Sequence, residues 1–274
     1  MLNRAKLWMK SKIKPIEVPI YKYIRQQDEL DGRITMITGG DGGIGFEIAK
    51  SFIEAGAKVI ITGRNETKLN ECCKKLGENS KYIVFDLNNL TEIREKLNTA
   101  INLFGKIDIL VNSAGIHIAR NDLGFLNITR EEFENILNIN LESTYFISQI
   151  FAKYLIKNKL SGNILFISSS RGNEPVWSPY QVSKNCIISL TEGLGKQLIK
   201  YNIVVNGIAP GPTATRLIDY KEGDSIYSDE TDNLRLTMPA EIANLAVNLV
   251  SGIGKTIIGQ TIYMSGGRGV IDKR

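Results

Sequence analysis

The sequence predicts a three-layer α/β fold, a doubly wound sheet of about seven parallel strands with helices on both faces. Three observations carry that expectation. Short β-branched runs bounded by Gly, Asn or Asp alternate with helix-length stretches along most of the 274 residues. The strand runs are mostly continuous in apolar character, as in strands covered on both faces. The first of them leads through a glycine-rich turn directly into a helix.

Strands are expected at residues 34–38, 58–62, 82–86, 109–113, 163–168, 204–209 and 261–264, and helices at 45–55, 66–76, 91–104, 130–157, 179–200 and 240–250. Thr129, with Glu132 three residues later, is a capping-box start for the 130–157 helix. Along that helix Phe133, Ile136, Leu137, Leu141 and Tyr145 mark an apolar stripe at helical spacing. Asn140 sits among them, where a polar side chain needs a partner, either as a satisfied core residue or as a functional one. The long irregular stretch 210–239 holds the acidic, polar run 222–232, and a loop that long inside a compact domain is expected to be functional or mobile.

Composition narrows the function classes. With 43% hydrophobic residues the chain can bury a full core, and no run approaches the ~18 apolar residues of a bilayer span. Cys72 and Cys73 are neighbours and Cys186 is distant, so no disulfide framework is implied and a reduced, cytoplasmic protein is expected. The net charge is +5, but residues 1–25 carry seven basic residues against Glu17, leaving the rest close to neutral. The body is therefore no nucleic-acid binder; it is a near-neutral domain, 30–274, behind a basic arm, 1–29. In the arm, Leu2, Ala5, Met9 and Ile13 fall near helical spacing beside Lys6, Lys10 and Lys14 until Pro15. That apolar face is short for a membrane anchor, so packing on its own or a neighbouring subunit is favoured over membrane contact.

The chemistry-bearing motifs lie where the strands end. Thr38-Gly39-Gly40-Asp41-Gly42-Gly43-Ile44-Gly45 would let the backbone approach a pyrophosphate seated on the helix N-terminus. The second strand ends in Thr62-Gly63-Arg64-Asn65, where NAD-binding folds place an acidic residue for the ribose 2′-hydroxyl. Gly63 takes that place here, and the guanidinium of Arg64 suits a 2′-phosphate, so NADP(H) is favoured over NAD(H). Asp41 in the phosphate loop weighs the other way. Asp86-Leu87 and Asn112-Ser113-Ala114-Gly115 close the third and fourth strands. Tyr180 and Lys184 stand four residues apart, one turn along a helix face, behind serines at 168–170. The ammonium is expected to lower the phenol's pKa, giving a proton donor for a carbonyl oxygen or an acceptor from an alcohol.

Together these motifs resemble the short-chain dehydrogenase/reductase family in its single-domain, Rossmann-like branch. The resemblance covers residues 30–267 and continues through Asn206-Gly207-Ile208-Ala209-Pro210-Gly211 and Ser265-Gly266-Gly267. It implies an NAD(P)-dependent oxidoreductase acting on a carbonyl or alcohol, packed as a homodimer or homotetramer through the 130–157 and 179–200 helices. By the same resemblance Tyr180 is the general acid/base, and Lys184 tunes it and holds the nicotinamide ribose. Ser169 polarises the substrate carbonyl, and Asn140 holds a water that links Lys184 to solvent. Gly39, Gly43, Ile44, Gly45, Arg64, Asp86 and Leu87 would bind the cofactor with Asn112, Ala114 and Gly115. Pro210, Gly211 and Thr213 would flank the nicotinamide. Two departures stand out: Ser113 replaces the family's usual Asn, and Ser169 lies only eleven residues before Tyr180, closer than is usual. Ser169 is preferred to Ser168 because Ser169-Ser170-Arg171-Gly172 fits the family's Ser-x-x-Gly pattern. A non-catalytic nucleotide-sensing scaffold is the rival class; within the enzyme class the substrate stays open among oxoacyl thioesters, keto sugars, steroid-like ketones and small aldehydes.

Overall fold

The computed structural model describes residues 29–118 and 123–268. The basic arm, with its Leu2–Ile13 stripe, lies outside the described residues except for Glu29. Seven strands form one parallel sheet in the order β3-β2-β1-β4-β5-β6-β7. They are β1 Ile34–Thr38, β2 Lys58–Gly63, β3 Ser80–Val84, β4 Ile109–Asn112, β5 Gly162–Ile167, β6 Ile203–Pro210 and β7 Thr261–Met264. The helices are α1 Gly43–Glu54, α2 Glu66–Leu76, α3 Ile93–Phe104, α4 Arg130–Leu137, α5 Ser143–Lys157, α6 Pro179–Leu198 and α7 Pro239–Val250.

Successive strand residues feed opposite faces. Ile37, Val59, Ile61, Val111 and Leu165 pack on one side with Ile48 and Phe52 of α1 and Ile242 and Val247 of α7. Met36, Ile60, Leu110, Ile164 and Phe166 pack on the other with Leu97 of α3, Phe151 of α5 and Ile187 of α6. Both faces of every central strand are buried, which is why those strands read as unbroken apolar runs. The strand order reverses between β1 and β4, opening a crevice at the carboxyl edge.

One expected element differs in kind. The continuous 130–157 helix is instead α4 and α5 joined by a π-helical turn, Asn138–Glu142. The extra residue in that turn shifts the helical phase, so the expected stripe does not stay in the core: Phe133 and Tyr145 are 40% and 43% exposed, whereas Ile136, Ile139 and Ile147 are buried. The hydroxyl of Ser143 donates to the Ile139 carbonyl at 2.7 Å, satisfying backbone that the wider turn leaves free. Elsewhere the differences are small. Residues 91–92 belong to a single 3₁₀ turn ahead of α3, and the end of the 179–200 helix tightens to a 3₁₀ turn, Ile199–Tyr201. The 210–239 stretch is irregular apart from a 3₁₀ turn, Arg216–Ile218, and is tied down by Arg235, whose guanidinium grips Glu241 through two bonds of 2.7 and 2.6 Å. Among the described residues no helix is long and apolar enough to cross a membrane.

Candidate active site

The crevice at the carboxyl edge is built around the end of β1. The hydroxyl of Thr38 accepts from the backbone N–H groups of Ser113 and Ala114 at 3.2 and 3.3 Å, fixing the segment after β4 against the glycine-rich turn. Gly39 adopts φ +65°, and a Cβ there would stand 2.8 Å from the Ala114 Cα. A Cβ on Gly45 would overlap the Gly39 carbonyl oxygen. The first turn of α1 has neither a side-chain cap nor an acidic residue, so its N–H groups and positive end are left for an anion. Ile44 is the second residue of that helix.

A cleft of about 770 Å³ runs from this turn past Gly63, Arg64, Asp86, Leu87, Ala114 and Gly115. A second space of about 510 Å³ continues from Gly43–Gly45 toward Thr215 and Tyr220. Asp86 turns its carboxylate onto the Asn88 N–H at 3.0 Å, and Leu87 is buried. The Asn112 amide donates to Ser148 at 3.1 Å, while its buried Oδ1 has no partner. A bare-backbone floor, an uncapped helix start and an orphaned acceptor fit a dinucleotide laid along the crevice. The adenosine end holds an arrangement the sequence reading did not resolve. The Asp41 carboxylate lies against Gly63, filling the space a side chain there would need, and pairs with Lys68 at 3.0 Å. Arg64 is exposed beside them.

Ser178 and Gln181 form a capping box with Pro179 in the first turn of α6, which fixes Tyr180 at the rim and Lys184 one turn deeper. The Ser169 side chain lies beside the Tyr180 hydroxyl, close enough to lower its pKa. Ser168 points elsewhere, donating to the Lys184 carbonyl at 2.8 Å and pinning α6 to the end of β5. Of the two serines, Ser169 is the one placed beside the phenol. The Lys184 ammonium donates to the Ile167 carbonyl at 2.9 Å and lies 5.8 Å from the centre of the Tyr180 ring. Burial pushes the Tyr180 pKa up, against the pull of the Ser169 side chain and the Arg171 charge. The expected lowering by Lys184 is therefore not found: desolvation dominates, the cation that acts on the phenol is Arg171, and Lys184 donates to a backbone carbonyl.

Burial also pulls Lys184 down from 10.5 to about 8. Its folded pKa lies below the unfolded one, so the unfolded chain holds the proton more tightly and folding stability rises as pH climbs from about 8 toward 10. A Lys184→Met protein is expected to lose that rise. Urea unfolding of variant and wild type at pH 8 and 9.5 reads it as a difference; parallel slopes would contradict the burial.

Asn140, on the π-turn, is buried and clamps the segment after β4 to α6. Its Oδ1 accepts from the Ile116 N–H at 2.8 Å, and its amide donates to the Ile116 carbonyl at 2.9 Å and to Ser183 at 3.2 Å. A Cβ on Gly115 would meet both the Lys184 ammonium and the Asn140 oxygen at 3.4 and 3.5 Å, so these groups converge behind Tyr180. Pro210 ends β6, and Gly211 is hydrogen-bonded to Met264. The Thr213 hydroxyl is satisfied internally, donating to the Gly211 carbonyl at 2.8 Å. Thr215, two residues on, packs over Gly43 and lines the crevice; a second threonine within four residues of Gly211 was the available signal. His117 braces the loop above: its Nδ1 and Nε2 each lie 3.0 Å from the carbonyls of Ile118 and Leu217, with its ring edge-on to Tyr180 at 6.3 Å.

The family model described as short chain dehydrogenase matches residues 33–224. An acetoacetyl-CoA reductase of Acinetobacter sp. is 33% identical over 244 residues, covering 86% of this chain and 97% of the relative. A 2-dehydro-3-deoxy-D-gluconate 5-dehydrogenase of Dickeya dadantii is 32% identical over 248 residues, covering 87% and 96%. Among solved structures, a 3-ketoacyl-(acyl-carrier-protein) reductase of Brucella melitensis complexed with NADH superposes with a TM-score of 0.79 at 27% identity, covering 88% of this chain and all of that one. A dinucleotide crevice at the β1–β4 reversal, in a chain matched over most of its length by this family, has one reading: the protein is a member of the short-chain dehydrogenase/reductase family and an NAD(P)-dependent oxidoreductase acting on small molecules.

Proposed function

We propose that the protein is an NADP(H)-dependent carbonyl reductase or secondary-alcohol dehydrogenase with Tyr180 as its general acid/base. The observation that carries this reading is the pairing of the Ser169 and Tyr180 side chains at the rim, backed by Lys184 and Asn140. When bound, the nicotinamide cofactor supplies or accepts the hydride. The chain's residues do the rest. Ser169 donates to the substrate carbonyl oxygen and stabilises charge developing there. Tyr180, held protonated at neutral pH by burial, delivers its proton to that oxygen. Lys184 and Asn140 keep the proton path behind the phenol in fixed register, and Gly39, Gly43, Ile44 and Gly45 seat the pyrophosphate with Thr215. Asn112, Ala114 and Gly115 line the groove, Pro210 and Gly211 border the nicotinamide pocket, and residues 210–239 close over the substrate within the single catalytic domain 30–274. The cysteines are free, which fits a reducing, cytoplasmic setting.

Oxidation of NADPH and NADH across a carbonyl panel tests the reading. Turnover of at least one ketone or aldehyde is expected; tight cofactor binding with no turnover would point to a nucleotide sensor instead. The relatives span an acyl-thioester reductase and a sugar-acid dehydrogenase, so both classes belong in the panel.

Cofactor choice rests on Arg64 and on Lys68, which neutralises Asp41. A second reading has a specific observation behind it: the Asp41 carboxylate occupies the end of β2, where an acid would hold a ribose 2′-hydroxyl of NAD. The two separate by mutation. On the NADP reading, Arg64→Ala raises the Kd for NADPH about 10-fold or more with little change for NADH, and Asp41→Asn lowers it. Weaker NADH binding in Asp41→Asn, with Arg64→Ala silent, would establish the NAD reading.

Exposed Phe133, Tyr145, Phe146 and Ile156 on α4 and α5 support a homodimer or homotetramer through these helices. Sedimentation at micromolar concentration giving a monomer would reject it.

A further inference from the structure

Arg171 is the charged neighbour of the Ser169–Tyr180 pair. It lies two residues beyond Ser169, and its backbone N–H donates to the Ser169 hydroxyl at 3.2 Å, so the arginine is anchored at the carbonyl-binding pair itself. Its side chain is 44% exposed, and the approach to Glu174 is 3.9 Å, beyond hydrogen-bonding distance. Glu174 is committed elsewhere: its other oxygen accepts from Arg268 at 2.8 Å, and Arg268 also pairs with Glu230. The local anions are thus taken up by Arg268, and Arg171 is left as a half-exposed cation without a close partner at the rim. Its charge reaches the Tyr180 hydroxyl, where it opposes the effect of burial.

We propose that Arg171 is a specificity-determining residue that pairs with a carboxylate on the substrate, making the preferred substrates oxo acids and the corresponding hydroxy acids. The planar guanidinium offers a forked donor to a carboxylate while the carbonyl sits between Ser169 and Tyr180. In reduction, hydride adds to the carbonyl carbon, the Tyr180 proton goes to the oxygen, and the carboxylate stays unchanged on Arg171. This inference rests on the oxidoreductase reading above and adds the substrate class to it.

The test compares short-chain oxo acids with their methyl esters in wild type, Arg171→Gln and Arg171→Lys. Wild type is expected to favour acid over ester, and Arg171→Gln to cut the acid-to-ester ratio of kcat/KM about 10- to 100-fold, chiefly through KM. Arg171→Lys should recover part of that loss. A fourth arm separates anions on the substrate from anions on a carrier, using the coenzyme A and N-acetylcysteamine thioesters of one oxoacyl group. If Arg171→Gln damages only the coenzyme A thioester, Arg171 reads carrier phosphates and the carboxylate proposal falls. Equal use of acid and ester by wild type and Arg171→Gln alike overturns it while leaving the oxidoreductase intact. Turnover of no carbonyl compound by any form overturns both readings. Thermal unfolding confirms that the variants are folded, which the exposed position of Arg171 leads us to expect.

Discussion

Replacing Tyr180 with phenylalanine is expected to lower kcat about 1,000-fold, the usual range for losing a positioned general acid, while dinucleotide affinity changes little. The substitution keeps the ring and its edge-on contact with His117 and removes only the oxygen beside Ser169. Steady-state kinetics and a cofactor titration on the same preparation separate the two effects. Turnover within a fewfold of wild type would remove Tyr180 from the mechanism. The direction of the pH dependence follows from burial. Because burial raises the phenol's pKa, the proton donor needed for carbonyl reduction is present throughout the neutral range. The phenolate needed to accept a proton from an alcohol gains population only as pH rises. Reduction is therefore expected to hold level through neutrality and to weaken, with oxidation strengthening, only as pH rises past 10. Tyr180→Phe should flatten both profiles.

Gly45→Ala is expected to be the most damaging single-methyl change in the glycine-rich turn. The added carbon would overlap the Gly39 carbonyl oxygen, so either the glycine-rich turn or the start of α1 must move. Overpacking of this kind costs about 1–3 kcal/mol. The displaced N–H groups would also lose their aim at a pyrophosphate, so dinucleotide binding should disappear. Gly193→Ala is the matched control: it lies in α6 with no atom within 4 Å of the added carbon and is expected to be neutral or stabilising by up to about 1 kcal/mol. Urea unfolding with cofactor titration checks both. A Gly45→Ala protein that folds and binds normally would contradict the close approach.

The central strands were legible as apolar runs because burial on both faces is written directly into side-chain type. Their ends were less so. The third strand lies at Ser80–Val84, upstream of the expected 82–86, because Asp86 folds back on the Asn88 N–H and makes a turn. The grouping of Ser169, Tyr180, Lys184 and Asn140 was implied by the family resemblance, since spacing alone joined only Tyr180 to Lys184. The direction of the Lys184 ammonium did not, since its partner is a backbone carbonyl of Ile167 that every sequence supplies. The Asp41–Lys68 pair was hidden for a related reason: it joins a turn to a helix across Gly63, and only the folded register brings them together. The π-turn was invisible because one surplus residue in a long periodic pattern still leaves a plausible stripe.

That surplus residue makes helix length part of the site's design. Deleting Asn138, Ile139, Leu141 or Glu142 would let α4 and α5 merge into regular helix, and the segment upstream would rotate by about a quarter turn. Asn140 would swing off Ile116 and Ser183, although the deletion removed no catalytic group. Substitutions on the outer face of α4 should be tolerated far better than this loss of a single link. Along this stretch, what must be preserved is a count of residues as much as their identity.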